Sequence, residues 1–246
     1  MKIHSITVFL AFAFLLTACK KDEEEVPIDM TVPVVQIDLS HKVSGIDLVF
    51  NQRIFENAAG NSYEVRHLEY YIADFKLLNQ GGSWVEVISE PYLINPEKGV
   101  TTTLMANVPV GNYTGLSCMI GIPVTKNLTG YLPNTLNNVN MAWPEPIGGG
   151  YHFMKFEGNY MDEKGDWRGF TVHLGKNGMQ SVNVIQDVQF SISESSTKLE
   201  LVMDMNEWFE SPYLYDFIAD GNYTMAIDSL MKLVSDNGKN CLAFKN

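Results

Sequence analysis

Cysteine is scarce in this chain, with three residues in 246: Cys19, Cys118 and Cys241. That excludes a disulfide-stapled miniature fold and a Cys-x-x-Cys metal knuckle. Basic side chains are also few, 17 Lys and Arg against 29 Asp and Glu, for a formal charge of −12. A nucleic-acid partner needs a concentrated cationic face, and none is visible, so that class is set aside. No apolar run after residue 19 is long enough to cross a bilayer as a helix. No segment repeats at a fixed period, and no serine sits in a Gly-x-Ser-x-Gly elbow. No pair of carboxylates is held by spacing beside a candidate nucleophile. The expectation is a binding protein that catalyses no reaction.

What is present begins with a targeting segment. Lys2 and His4 open a short polar start, Ile6 to Leu16 is apolar, and Leu16-Thr17-Ala18-Cys19 follows. Small residues before a cysteine resemble a bacterial lipobox, which makes 1–18 a lipoprotein signal peptide and Cys19 the lipidated first residue of the mature chain. Residues 19–33, starting Cys19-Lys20-Lys21-Asp22-Glu23-Glu24-Glu25, read as a solvated tether. The Cys-Lys-Lys-acidic pattern also resembles the surface-export signal of Bacteroidota lipoproteins. The expected location is therefore the outer membrane, anchored by lipid and facing outward more than into the periplasm. Removing 1–18 takes away Lys2 and no acid, so the formal charge moves from −12 to −13. Cys118 and Cys241 are then the remaining pair, and nothing in their spacing requires a bond between them.

From Val34 onward β signals dominate. Val34 to Leu39, Ile46 to Phe50, Ser62 to Leu78, Trp84 to Ile88, Thr101 to Val108, Tyr113 to Ile122, Val182 to Ile192 and Lys198 to Met205 are rich in β-branched and aromatic residues. Gly and Pro punctuate them. The expected fold is all-β, an antiparallel β-sandwich of Ig-like or barrel-like kind. One or two short helices are expected near the C-terminus, at Glu207 to Tyr215 and Met225 to Val234. With no linker between Val34 and Phe244, residues 34–246 read as one domain.

The most informative stretch runs from Met141 to Gly175. Tyr151 to Glu157 and Gly169 to Leu174 are apolar-rich, and the segment between them is rich in turn residues, so an antiparallel hairpin is predicted. Pairing symmetric about that turn puts His152 opposite His173, although a long turn can shift the register by two. Opposed side chains have Cβ atoms about 5 Å apart, a spacing at which two imidazoles can close on one metal ion. A lone histidine at a sheet edge is more often a hydrogen-bonded structural group, and the pair brings the metal reading level with that one. His41, at a turn after an apolar strand, is the candidate third ligand or a solvated turn residue. Met154 shares strand parity with His152 and could face the site or pack in the core. Met141 has the flexible setting a ligand needs. Trp143, between Met141 and a Gly-rich run, reads as a lid over the sheet. Glu157 could orient a ligand histidine through its second nitrogen.

Several short motifs, taken in order, resemble the MbnP-like copper-binding domain family. They are His41-Lys42-Val43-Ser44-Gly45, Leu68 to Leu77 (LEYYIADFKL), Val108-Pro109-Val110-Gly111-Asn112-Tyr113, Met141-Ala142-Trp143, Gly150 to Gly158 (GYHFMKFEG) and Phe170-Thr171-Val172-His173-Leu174-Gly175. The resemblance spans nearly the whole mature chain. It implies an extracytoplasmic copper binder, Cu(I) or Cu(II), that holds the ion through histidines near a tryptophan; with the reading above, His41, His152 and His173 are the candidate ligands and Trp143, Met141, Met154 and Glu157 the candidate neighbours. In that family some members carry a tryptophan oxidised to kynurenine by a di-haem peroxidase-like partner, which makes Trp143 the candidate here. The function implied is copper capture, storage or handover.

A second class stays open beside it. A surface adhesion or glycan-binding lipoprotein would use the sandwich to display Trp143, Trp167, Trp84 and Tyr131 for stacking on sugar rings, with incidental histidines and no metal site. A structural subunit of an outer-membrane partner is a third.

Overall fold

The computed structural model describes residues 32–99, 101–195 and 197–245; the expected signal peptide, Cys19 and all but the last two residues of the tether lie outside them. Residues Val32–Asn246 form one compact unit.

Among the described residues, thirteen strands make two sheets. β1 is Val34–Val43, β2 Ile46–Asp47, β3 Phe55–Glu56, β4 Ser62–Asn79, β5 Trp84–Ile88, β6 Tyr92–Ile94, β7 Thr101–Asn107 and β8 Gly111–Ile120. After a short helix, α1 (Leu136–Asn140), come β9 His152–Met161, β10 Trp167–Gly175, β11 Ser181–Ile192 and β12 Thr197–Asp204, then helix α2 (Asp228–Asn237) and β13 Leu242–Lys245. The larger sheet runs β10-β9-β4-β8-β11, with β3, β5 and β6 pairing along β4; the smaller runs β13-β12-β1-β2, with β7 also on β1. The fold is the expected β-sandwich. Its pairs are antiparallel except β1 with β12, which run parallel.

Strand alternation explains the layering. On β4, Leu68 and Tyr70 point into the core while His67 and Glu69 point outward, and β9 answers with Phe156 and Met154 inward, Glu157 and Lys155 outward. The core between the sheets is strongly aromatic at one end. Tyr63 meets Phe170, Phe209 and Phe217 edge-on, and Phe170 stacks on Phe217 with ring centroids 4.6 Å apart. Such pairs add to the area they bury. Cys118 and Cys241 are both free and fully enclosed in this core, and burial pushes the Cys118 thiol up to about 12.

The helices differ in detail from expectation. Glu207 to Tyr215 yields only a 3-10 turn at Asn206–Phe209, because Ser211, Pro212 and the following residues break the pattern. The expected helix at Met225 to Val234 is α2, starting three residues later and burying Met231 and Val234. Ile46 to Phe50 is a strand for two residues only, because the chain leaves the sheet after Asp47. α1 was not anticipated; Thr135 caps it by accepting from the Asn138 amide.

Candidate metal site

The β9–β10 hairpin forms as its sequence predicts, but in another register. Asp162 holds the turn, its carboxylate accepting from the Lys164 and Asp166 amides and from Arg168. The ladder that follows pairs Thr171 with Glu157, His173 with Lys155 and Leu174 with Met154. A bulge then intervenes, and Gly175 pairs with His152. His152 is therefore not opposite His173. The extra residue on β9 is Phe153, and it reverses the parity beyond it. His152 thereby reaches the outer face of the large sheet, where its ring stands 5.2 Å from that of His173 at 86°. The same reversal removes Met154. It pairs with Tyr70 and is fully buried on the core side, because parity with His152 does not survive the bulge.

Each imidazole has one nitrogen held and one left over. The Nε2 of His173 lies 2.7 Å from a Glu157 carboxylate oxygen, while its Nδ1 is buried with no hydrogen-bond partner. A carboxylate only accepts, so the proton belongs on Nε2 and the lone pair on Nδ1. The bond from His173 in turn holds the Glu157 carboxyl below its usual range. For His152, Nδ1 lies 3.2 Å from the Met141 carbonyl oxygen, another acceptor, which puts the proton on Nδ1 and the lone pair on Nε2. Burial, with the charge of Lys155 behind it, pulls the His152 imidazole down to about 4, so it stays neutral at physiological pH.

The loop before β9 closes over this pair. The His152 amide donates to the Met141 carbonyl at 2.6 Å, and the Trp143 amide to the Gly150 carbonyl at 2.9 Å. Met141 thus contributes its carbonyl, and its side chain is buried. The Trp143 ring sits 4.7 Å from the His152 ring, and its indole N–H donates to the Ile147 carbonyl at 3.1 Å. Only 2% of Trp143 is exposed, so this indole is packed and not displayed for a sugar. Lys155 ties the end of α1 to β9 through the Asn140 carbonyl.

His41 does not join the pair. It lies on β1 of the small sheet, faces inward, and its Nε2 is 2.8 Å from the hydroxyl of Tyr70, which points into the core from the opposite sheet. Its Nδ1 has no partner, and burial lowers its pKa to about 4. The residue is inside the sandwich, whereas His152 and His173 are outside the large sheet. His67 is on that outer face, cross-strand from Glu157, but its two ring nitrogens are taken by Glu97 at 2.6 Å and Glu69 at 3.4 Å.

Among the described residues no group of three or more His, Cys, Asp or Glu is arranged to hold a metal ion. The donors that are present fit copper as a two-imidazole set. The His173 Nδ1 lone pair has no hydrogen-bond partner, and a carboxylate backs that ring, as is usual for ligating histidines. The residues the sequence did not single out are Gly175, the Ile147 carbonyl and Lys155. Their roles arise from the loop folding back on the sheet, which leaves no local pattern.

Fold and site together define a β-sandwich with a histidine pair on one outer face of the large sheet, an indole packed against the buried member, His152. A family model described as MbnP matches residues 32–226, and the chain belongs to the MbnP family. Among solved structures it is similar in fold to MbnP from Methylosinus trichosporium, with a TM-score of 0.51 and 15% identity over 76% of this chain and 82% of that one. No curated protein matches the chain.

Proposed function

We propose that this protein binds copper outside the cytoplasm, as a lipid-anchored outer-membrane protein that captures, stores or hands over the ion without catalysing a reaction. The observation that carries the reading is the His152–His173 pair, two imidazoles 5.2 Å apart, each with one nitrogen fixed by an acceptor, and with the other nitrogen of His173 buried and without a hydrogen-bond partner. Family membership and the copper chemistry that the sequence resemblance implies support it. His152 and His173 would hold the ion, Glu157 would fix the His173 ring, and Trp143 would shield His152 from water. When bound, copper would supply only its own coordination chemistry. His41 has no part in this reading. Oxidation of Trp143 by a di-haem peroxidase-like partner belongs to the same proposal, and intact-mass analysis of protein from its native host tests it.

The decisive experiment is copper titration of the full-length protein in detergent under oxidising and reducing conditions, beside His152→Ala and His173→Ala. One copper per chain, lost in both variants, is the expected result. No copper above background in the parent overturns the reading and favours the glycan-binding class.

A further inference from the structure

Gly175 stands directly across the ladder from His152, where a side chain would ordinarily flank the imidazole. Its place is taken by Trp143. A Cβ built on Gly175 would lie 2.3 Å from Trp143 Cε3 and 2.6 Å from both Cδ2 and Cζ3, three atoms of the six-membered ring of the indole. Contacts this short are not met by real Cβ atoms, and the atoms facing it belong to a rigid ring held by the Ile147 carbonyl on its N–H and by the His152 ring packed T-shaped against it, on a backbone pinned by the Gly150 carbonyl. Backbone conformation does not call for glycine here, because Gly175 is not among the residues with positive φ. The glycine is there for space. Gly169, on the same strand, is the contrast: a Cβ there meets nothing nearer than 3.9 Å.

We infer that Gly175 is the positioning residue of the His152–His173 site, the seat that lets the Trp143 indole lie against His152. The structural half of this stands on the geometry alone; its effect on copper rests on the copper-binding reading above. With any side chain at 175 the indole must lift, the Ile147 bond breaks, and water reaches the imidazole it now covers. Gly175 acts through Trp143 and touches no ion itself.

The test is a double-mutant cycle in the full-length protein. Gly175→Ala is expected to shift the Trp143 indole N–H resonance, assigned with Trp143→Phe, in metal-free protein and to weaken copper binding about tenfold in a chelator competition. Gly169→Ala should change neither. In a Trp143→Ala background, where the clash is gone, adding Gly175→Ala should cost nothing further in copper affinity or in urea midpoint. That background also answers a Gly175→Ala chain that fails to fold, since the double variant should then fold. An unmoved indole resonance, or a Gly175→Ala loss that is as large without the indole as with it, overturns the inference. If the parent binds no copper, the copper reading falls, and the resonance and urea arms still decide whether Gly175 is the seat.

Discussion

At the scale of single residues, the site is organised by which groups can only accept. Glu157 and the Met141 carbonyl each accept a hydrogen bond from an imidazole N–H and so dictate which nitrogen keeps a lone pair. Glu157→Gln keeps a similar shape but removes the charge, and should weaken copper binding about 10- to 100-fold while leaving the urea midpoint of the metal-free protein nearly unchanged. A competition assay across both oxidation states checks it. His41 makes a different statement. Its folded pKa is about 4 against an ordinary 6.5, so the unfolded chain binds the proton first as pH falls. The stability it secures is therefore complete above pH 6.5 and drains away between 6.5 and about 4, by up to about 3 kcal/mol. His41→Gln should flatten that part of the pH profile, measured by urea unfolding at pH 7 and pH 5, and leave the share due to His152. A profile unchanged by the substitution would mean that His41 does not titrate as buried.

At the scale of elements, the bulge in β9 decides the site. A regular ladder would keep His152, Met154 and Phe156 on one face, so that two imidazoles could share the outer face only if His152 took Met154 to the outside with it. One extra residue at Phe153 separates them, sending His152 outward and Met154 to the core. A tight seat recurs elsewhere in the fold. At the end of α2, Gly238 has an ordinary helical φ of −61°, yet a Cβ there would stand 2.1 Å from Trp208 Cζ3 and 2.5 Å from Cη2. Trp208 is wholly buried. Gly238→Ala should destabilise the fold by about 1–3 kcal/mol through overpacking, read as a lowered urea midpoint with unchanged slope. Helix propensity alone would favour alanine, so a raised midpoint would show that the indole yields at no cost.

At the scale of the whole molecule, charge and the proposed lipid anchor would act together. A net charge of −12 raises the local concentration of every cation at low ionic strength and selects none of them, so in the proposed function selectivity for copper would fall to the two imidazoles and what surrounds them. A lipid on Cys19 would confine that capacity to a membrane surface. Cys19→Ser should move the protein from the membrane fraction to the soluble fraction of its host, followed by immunoblot, with copper binding by the released protein unchanged. Retention of the variant in the membrane fraction would remove the anchor from the proposal.

The sandwich, most of its strand positions, the hairpin and the nearness of His152, His173 and Glu157 to one another were legible in the amino-acid sequence, because alternation, turn residues and motif order are local properties. The register was not. A long turn leaves it free by two residues, and the bulge at Phe153 is set by how β9 packs between β4 and β10. Nor was the separation of His41, which depends on its strand lying in the other sheet, facing Tyr70 across the core. The sequence by itself determined the fold class and the chemistry available. Tertiary structure decided which two imidazoles meet and what covers them, because strand pairing and a loop folding back onto a sheet bring together residues with no fixed separation along the chain.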